Sequence, residues 1–290
     1  MCNLIKTFVI LMSLGITHYE YSKANDTYLV DIKNDKIRLI EKNNRQAKIV
    51  PIRFIKTPKY RTIKDKGLIY TDVLEHSKQE PFGDESGRNI NVHETVHGIH
   101  SDMRMLYEKE LKRYDINVFY CLEGNAILLT EPKISIRHVI KYVPTKLKSY
   151  RWNLYFVQQL KDWDDKPTYI LDEWVAYILG SKCAVDDHQK NIITHRSDAI
   201  SGCLDFSIYS IAFAIAVKNH DPDYWENNPQ FKAMINYHLI QAEKTLGAGL
   251  EIEAFNSSKQ DELYYNLLYD ESAEEIRQFL LSEFDGVFIK

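Results

Sequence analysis

The chain has little cysteine, glycine or proline, with 4, 11 and 8 of them in 290 residues. The spacing of the cysteines matches no metal-binding cysteine cluster, and no internal repeat or low-complexity linker is present. A net charge of −4 excludes a surface that is basic throughout, as a nucleic-acid platform would be. Hydrophobic residues make up 44% of the chain, which is enough for a sizeable core in one large domain or in two lobes sharing a cleft.

The N-terminus has the pattern of an export signal. Lys6 precedes a short apolar run from Thr7 to Ile16, and Ser22 and Ala24 place small residues where a signal peptidase would cleave. This pattern predicts a signal peptide over residues 1–24 and a secreted or periplasmic protein. The alternatives are a buried N-terminal helix and an uncleaved anchor. No later segment is expected to be long and apolar enough to cross a membrane.

Three cysteines follow the expected signal peptide, namely Cys121, Cys183 and Cys203. In an oxidising compartment two of them could pair, and Cys183 with Cys203 is the local option. Because three is an odd number, at least one thiol stays free or pairs with another molecule.

The first half of the chain has the alternating patterns of β-strands. Strands are predicted over Tyr28–Ile32 and Lys36–Ile40 as a hairpin, over Lys48–Ile55, over Leu68–Val73, and over Ile116–Leu122 and Ala126–Thr130 as a second hairpin. The segment Pro81–Gly87 is dense in turn residues and predicts a loop.

One helix is predicted inside this half, before the second hairpin. Apolar residues recur at spacings of 4, 3, 4 and 3 and form one continuous stripe, comprising Val92, Val96, Ile99, Met103 and Leu106.

From Ser135 onward the periodicity is helical. Helices are predicted over Ser135–Tyr142, Lys148–Trp163, Thr168–Gly180, Asp198–Lys218, Gln230–Leu246, Gln260–Leu268 and Ser272–Phe284, with Gly180 and Gly247 where helices should end. The fold class expected is α+β, with a β-containing lobe over residues 25–134 and a helical lobe over residues 135–290.

The segment from Asn91 to His100 carries the most specific chemistry. His93 and His97 are four residues apart, so on a helix both project from one face and can reach a single ion. Glu94 lies about 100° round the helix from His93, where a carboxylate can hold a water molecule instead of binding the ion. This His-Glu-x-x-His arrangement resembles that of the zincin metallopeptidases.

The resemblance implies Zn²⁺, a third protein ligand, and Glu94 as the catalytic base. His100 does not have the spacing of the third histidine used by one zincin branch, and it lies about 10 Å in helical rise from His93. We expect it to be a histidine on the polar face of the helix. The gluzincin branch uses a later glutamate, and Glu173 fits because its helix is apolar nearly all round. Asp172 is the competing ligand.

Tyr177, on the same helical face as Glu173, is a further candidate for the cleft, as a donor to the transition state. A structural salt bridge for Glu173 remains an alternative to metal binding.

The expected function is that of a secreted zinc metallopeptidase with a polypeptide substrate and a two-lobed zincin-like fold. Two alternatives stay open: a secreted metal-binding or toxin-like module without catalysis, and a zinc amidase acting on a non-peptide substrate. A fourth ligand from the same helix, His100 or Asp102, would favour the first alternative. A basic stretch from Lys133 to Arg151 is expected to be a solvated face, so no nucleic-acid partner is expected.

Overall fold

The computed structural model describes the backbone of residues 17–23, 26–33 and 36–42, and residues 52–64, 66–80, 87–192 and 197–289 in full. The chain divides into two units, residues 1–48 with residue 290, and residues 49–289. The whole apolar run Thr7–Ile16 and Ala24 of the expected signal peptide, and all of the expected loop Pro81–Gly87 except Gly87, lie outside the described residues.

The first unit contains a three-stranded antiparallel sheet in the order β1-β2-β3. The predicted hairpin is confirmed, because β2 (Asp26–Lys33) pairs with β3 (Lys36–Lys42) and Lys33 lies opposite Lys36. Strand β1 (Thr17–Lys23) pairs with β2 and was not predicted.

The second unit contains the other sheet, in the order β4-β6-β5, with all strands antiparallel. The second predicted hairpin is confirmed as β5 (Ile116–Tyr120) and β6 (Asn125–Thr130). Of the strand predicted over Lys48–Ile55, only its last residue belongs to the short β4 (Ile55–Lys56), and residues 48–51 lie outside the described part. Strand β5 is therefore an edge strand within this sheet.

The strand predicted over Leu68–Val73 was wrong, since these residues begin helix α1 (Leu68–His76). The buried residues are Ile69, Tyr70, Val73 and Leu74, which lie on one helical face. A short run rich in large apolar residues suits a strand and a buried helix equally, and here packing against the long helix that follows decides.

The predicted apolar stripe lies on α2 (Arg88–Leu111), a helix of 24 residues. Val92, Val96, Ile99 and Met103 are buried, whereas Leu106 is exposed. The predicted helix is thus confirmed, with its last turns reaching beyond the core.

The helical second half is confirmed with different boundaries. Its helices are α3 (Ile136–Ile140), α4 (Tyr150–Trp152), α5 (Leu160–Trp163), α6 (Tyr169–Gln189), α7 (Ser201–His220), α8 (Pro222–Asn227), α9 (Pro229–Leu250), α10 (Ser258–Tyr269) and α11 (Glu274–Phe284). The helix predicted over Lys148–Trp163 is interrupted by a π-helical turn, Asn153–Gln158. Helix α8, which starts at Pro222, was not predicted.

Gly180 and Gly247 do not end helices, because α6 and α9 continue through them. At Gly180 the reason is a close crossing of helices. A Cβ atom there would lie 2.8 Å from the backbone oxygen of Asn89 on α2, so only glycine allows this approach.

Helix α7 is the most completely buried helix, with every residue from Gly202 to Val217 inside the protein. Contrary to the expectation from sequence, its length and composition would allow it to cross a membrane, although 89% of its apolar stretch is buried in the structure, as in a core helix. The core forms where α6 packs on α2, α7 and α9, and where α2 packs on β5. The observed fold class is mixed α+β.

Candidate metal centre

The crossing of α2 and α6 brings the three predicted ligands together. His93 and His97 project from α2 toward α6, and Glu173 projects back from the first half of α6. One ligand atom from each of the three lies within 4.8 Å of the others. Their side chains are only 13%, 24% and 6% exposed, respectively.

The separations between these atoms fit a zinc ion. The two Nε2 atoms of His93 and His97 are 3.1 Å apart, and the Glu173 carboxylate oxygens lie 3.5 Å from His93 Nε2 and 3.7 Å from His97 Nε2. Two ligands of a tetrahedral zinc, each at about 2.0–2.1 Å, stand about 3.3 Å apart. The measured separations, of which the two to Glu173 involve its two oxygens in turn, lie close to this value, so the donors suit the ion in number and type.

Glu173 is held by two tyrosines. Tyr169 Oη donates to Glu173 Oε1 at 2.6 Å, and Tyr155 Oη donates to Glu173 Oε2 at 3.1 Å. Burial, followed by the nearby Glu173 charge, raises the pKa of both phenols, so they remain protonated donors. Burial raises the pKa of Glu173 but is outweighed, chiefly by His97 and also by Tyr169, so the net shift is downward and the carboxylate is ionised.

A directional chain of hydrogen bonds continues behind Tyr155. Because its only proton goes to Glu173, Tyr155 accepts from Tyr177 Oη at 3.2 Å, and Tyr177 in turn accepts from Arg151 Nε at 3.2 Å. Tyr177 is therefore part of the cluster, as predicted from its position on the helix. Its hydroxyl, however, donates to Tyr155, and it is Tyr155 that donates to the Glu173 carboxylate.

Asp172 lies beside the ligand cluster and holds His97 from behind. Its Oδ1 accepts from Nδ1 of His97, which leaves Nε2 of that imidazole facing His93 and Glu173. Glu173 thus faces both histidine Nε2 atoms, whereas Asp172 faces the opposite side of His97. Imidazoles that bind metals are commonly oriented in this way by a carboxylate. The choice of Glu173 over Asp172 as the metal ligand stays a prediction.

Burial lowers the pKa of His93 to about 4, so its imidazole is neutral at neutral pH. The neutral form is the one that binds a metal ion. Burial also disfavours the charge of His97, but the carboxylates of Asp172 and Glu173 outweigh it and raise the pKa of His97 to about 10.

His100 is not on a polar face, and that expectation was wrong. It is 2% exposed, its ring packs edge-on against Phe119, and its Nδ1 lies 3.2 Å from Asp172 Oδ1. Asp102 forms an ion pair with Lys78 at 3.8 Å. Among the described residues, neither His100 nor Asp102 joins the group formed by His93, His97 and Glu173.

Glu94 is exposed and lines the same cleft as the two histidines. The cleft has a volume of about 910 Å³ and is also lined by Ile116 and Asn117 of the edge strand β5. A second cavity of about 280 Å³ is also lined by His93, Glu94 and Tyr155. The candidate site is therefore bordered by open space on two sides.

The cysteines take no part in this site. Cys121, Cys183 and Cys203 are free and buried, so the pairing of Cys183 with Cys203 is not present in the structure. Cys121 Sγ lies 3.9 Å from His238 Nε2, but burial raises the pKa of this thiol and lowers that of His238 to about 3. A neutral, inaccessible thiol does not act as a nucleophile.

The sequence indicated His93, Glu94, His97 and Glu173, and the structure adds Tyr155, Tyr169 and His100 around them. The spacing of Tyr169 from Glu173, one helical turn, was a usable signal that was missed.

Compared with models of known protein families, with curated proteins and with solved structures, the chain matches none.

Proposed function

We propose that the protein is a zinc-dependent hydrolase, and specifically a metallopeptidase with a zincin-like arrangement of two lobes around the cleft. The observation that carries this proposal is the group formed by His93, His97 and Glu173, whose spacing suits one zinc ion with an open fourth position. Secretion through a signal peptide over residues 1–24 belongs to the same proposal.

The residues of the site divide the chemistry between them. Zinc held by His93, His97 and Glu173 supplies a Lewis acid next to the cleft. Glu94 lies in the cleft without an ion pair or hydrogen bond to any described residue, so its carboxylate is available to accept a proton from the attacking water. The same carboxyl group then passes the proton to the leaving amine.

The shape of the cleft supports an extended substrate. His93, Glu94 and Tyr155 line both the 910 Å³ cleft and the 280 Å³ cavity, so a chain can continue on both sides of the reacting bond. Ile116 and Asn117 place the edge strand β5 along the larger cleft. Because an edge strand can pair with an extended peptide, this arrangement favours a polypeptide over a small amide.

The absence of His100 and Asp102 from the ligand group, within the described part of the chain, weighs against a closed structural zinc site. A non-catalytic metal-binding module therefore fits less well than an enzyme. A zinc amidase acting on a non-peptide substrate would use the same ligands, and only the substrate would distinguish it.

The test combines metal analysis with a peptide-library assay. We expect one equivalent of zinc in the purified protein, and cleavage that a chelator abolishes and added zinc restores. Glu94→Gln should lower turnover by about 10²–10⁴-fold, the range for loss of general acid–base catalysis, while zinc content stays unchanged.

Glu108→Gln is the matched control, because Glu108 lies on the same helix and lines the same cleft. It should leave turnover within about threefold of wild type, since it is outside the proposed machinery. A zinc-free wild-type protein, or equal losses for the two variants, would contradict the proposal.

A further inference from the structure

His100 is a buried polar side chain that the proposed chemistry does not use. It is 2% exposed, and neither ring nitrogen has a well-aligned hydrogen bond among the described residues. Asp172 Oδ1 lies 3.2 Å from His100 Nδ1. Because burying a polar group without a good partner costs free energy, this ring needs a reason beyond filling space.

His100 contacts the same oxygen atom, Asp172 Oδ1, that orients His97. Asp172 Oδ1 accepts from His97 Nδ1 and is also the oxygen that His100 approaches. The ion pairs of Asp172 within the described chain are with these two histidines alone. His100 is thus placed to hold the same carboxylate oxygen that His97 contacts.

We propose that His100 is a positioning residue that acts on the metal site through Asp172, an inference that rests on the proposed zinc site. By holding Oδ1 of Asp172 against Nδ1 of His97, His100 keeps Nε2 of His97 directed at His93 and Glu173. Residues behind a ligand that fix its tautomer and orientation typically change metal affinity by about 10–100-fold when they are replaced.

A direct ligand role for His100 is the competing explanation. His97, His100 and Asp172 also offer atoms within 4.8 Å of one another. However, Asp172 Oδ1 and His97 Nδ1 are in direct hydrogen-bond contact, which leaves no space for an ion between them. The geometry therefore favours a chain of contacts over a second ion.

The experiment measures zinc affinity by competition with a chromophoric chelator for His100→Leu, His100→Asn and Asp172→Asn. Leucine fills the space without a donor, whereas the amide nitrogen of asparagine can stand where Nδ1 stands. We expect His100→Leu and Asp172→Asn each to weaken zinc binding about tenfold or more, and His100→Asn to restore most of the loss. In the double variant His100→Leu, Asp172→Asn, the losses should not add.

A second readout follows the imidazole of His97 in metal-free protein by ¹⁵N NMR. In wild type its Nδ1 should carry a proton protected from exchange, and in His100→Leu this protection should fall. If the wild type bound no zinc, the proposed function would fail, while the spectra would still decide the role of His100. Wild-type affinity and protection in His100→Leu would overturn the inference. Equal losses of zinc affinity in His100→Leu and His100→Asn would also overturn it. So would a wild-type protein that binds a second equivalent of zinc which the His100 variants do not bind.

Discussion

Asp205 and Glu173 both carry carboxylates that are almost fully buried, and their surroundings differ. Asp205 on α7 is 2% exposed and receives Arg151 Nη1 at 2.7 Å, so its charge is matched by a cation. Glu173 on α6 is 4% exposed and is surrounded by two histidines and two tyrosines, with no lysine or arginine in an ion pair with it among the described residues.

The difference indicates what each site is for. A buried carboxylate paired with arginine is already neutralised, and removing either partner leaves an unpaired charge inside the protein. A buried carboxylate held by tyrosines and histidines has no permanent cation beside it, so its negative charge stays available for a metal ion that arrives later. The chain Arg151–Tyr177–Tyr155–Glu173 connects the two sites, so the comparison can be tested by changing one end at a time.

The largest effect is expected at Glu173. Glu173→Gln keeps the side chain's shape and an acceptor oxygen for one of the two tyrosine donors but removes the charge. Zinc affinity should fall by more than about a hundredfold, since the substitution removes a metal ligand and not a residue that orients one. The free energy of unfolding of the metal-free protein should change by less than about 1 kcal/mol, because Glu173 has no lysine or arginine partner among the described residues and His97 keeps its pairing with Asp172. Chelator competition and urea unfolding measure the two quantities. Unchanged zinc affinity would show that a residue other than Glu173 is the third ligand.

The opposite result is expected at Asp205. Asp205→Asn leaves the buried Arg151 with one acidic partner among the described residues, Asp198 at 3.9 Å. Breaking a buried pair in this way costs about 3–5 kcal/mol, so urea unfolding should show a large loss of stability. Zinc affinity of the folded variant should stay within about threefold of wild type, because Tyr155 and Tyr169 still hold Glu173. A loss of zinc without a loss of stability would reverse the comparison.

A smaller effect is expected from the glycine at the helix crossing that places Glu173. In Gly180→Ala the new methyl group meets the Asn89 carbonyl at 2.8 Å, so α6 must move away from α2. We expect a loss of about 1–3 kcal/mol in stability and weaker zinc binding.

Gly247→Ala is the matched control, since it is also a helical glycine but its Cβ would meet nothing within 4 Å. It should stabilise the protein slightly, by up to about 1 kcal/mol, through helix propensity. Equal effects of the two substitutions on zinc affinity would show that the close crossing does not position the site.

The parts of the fold that could be predicted have strong local periodicity. The hairpin of β5 and β6 and the stripe on α2 follow from patterns of two and of three to four residues. The short run Leu68–Val73 could not be assigned in this way, because its apolar residues suit either structure until α2 packs on it. Gly180 was misinterpreted for a similar reason, since a glycine that ends a helix and one that permits a crossing look alike in sequence.

The sequence by itself determined the pair of histidines and Glu94, because one helical turn fixes which side chains share a face. It also indicated Glu173, through the apolar surroundings of its helix. Only the tertiary structure decided how these residues meet, which tyrosines hold the carboxylate, and that His100 faces Asp172 inside the protein. Apart from the contact of Tyr169 with Glu173, one turn along α6, those contacts join residues 18 or more positions apart. Helix packing, rather than local periodicity, sets them.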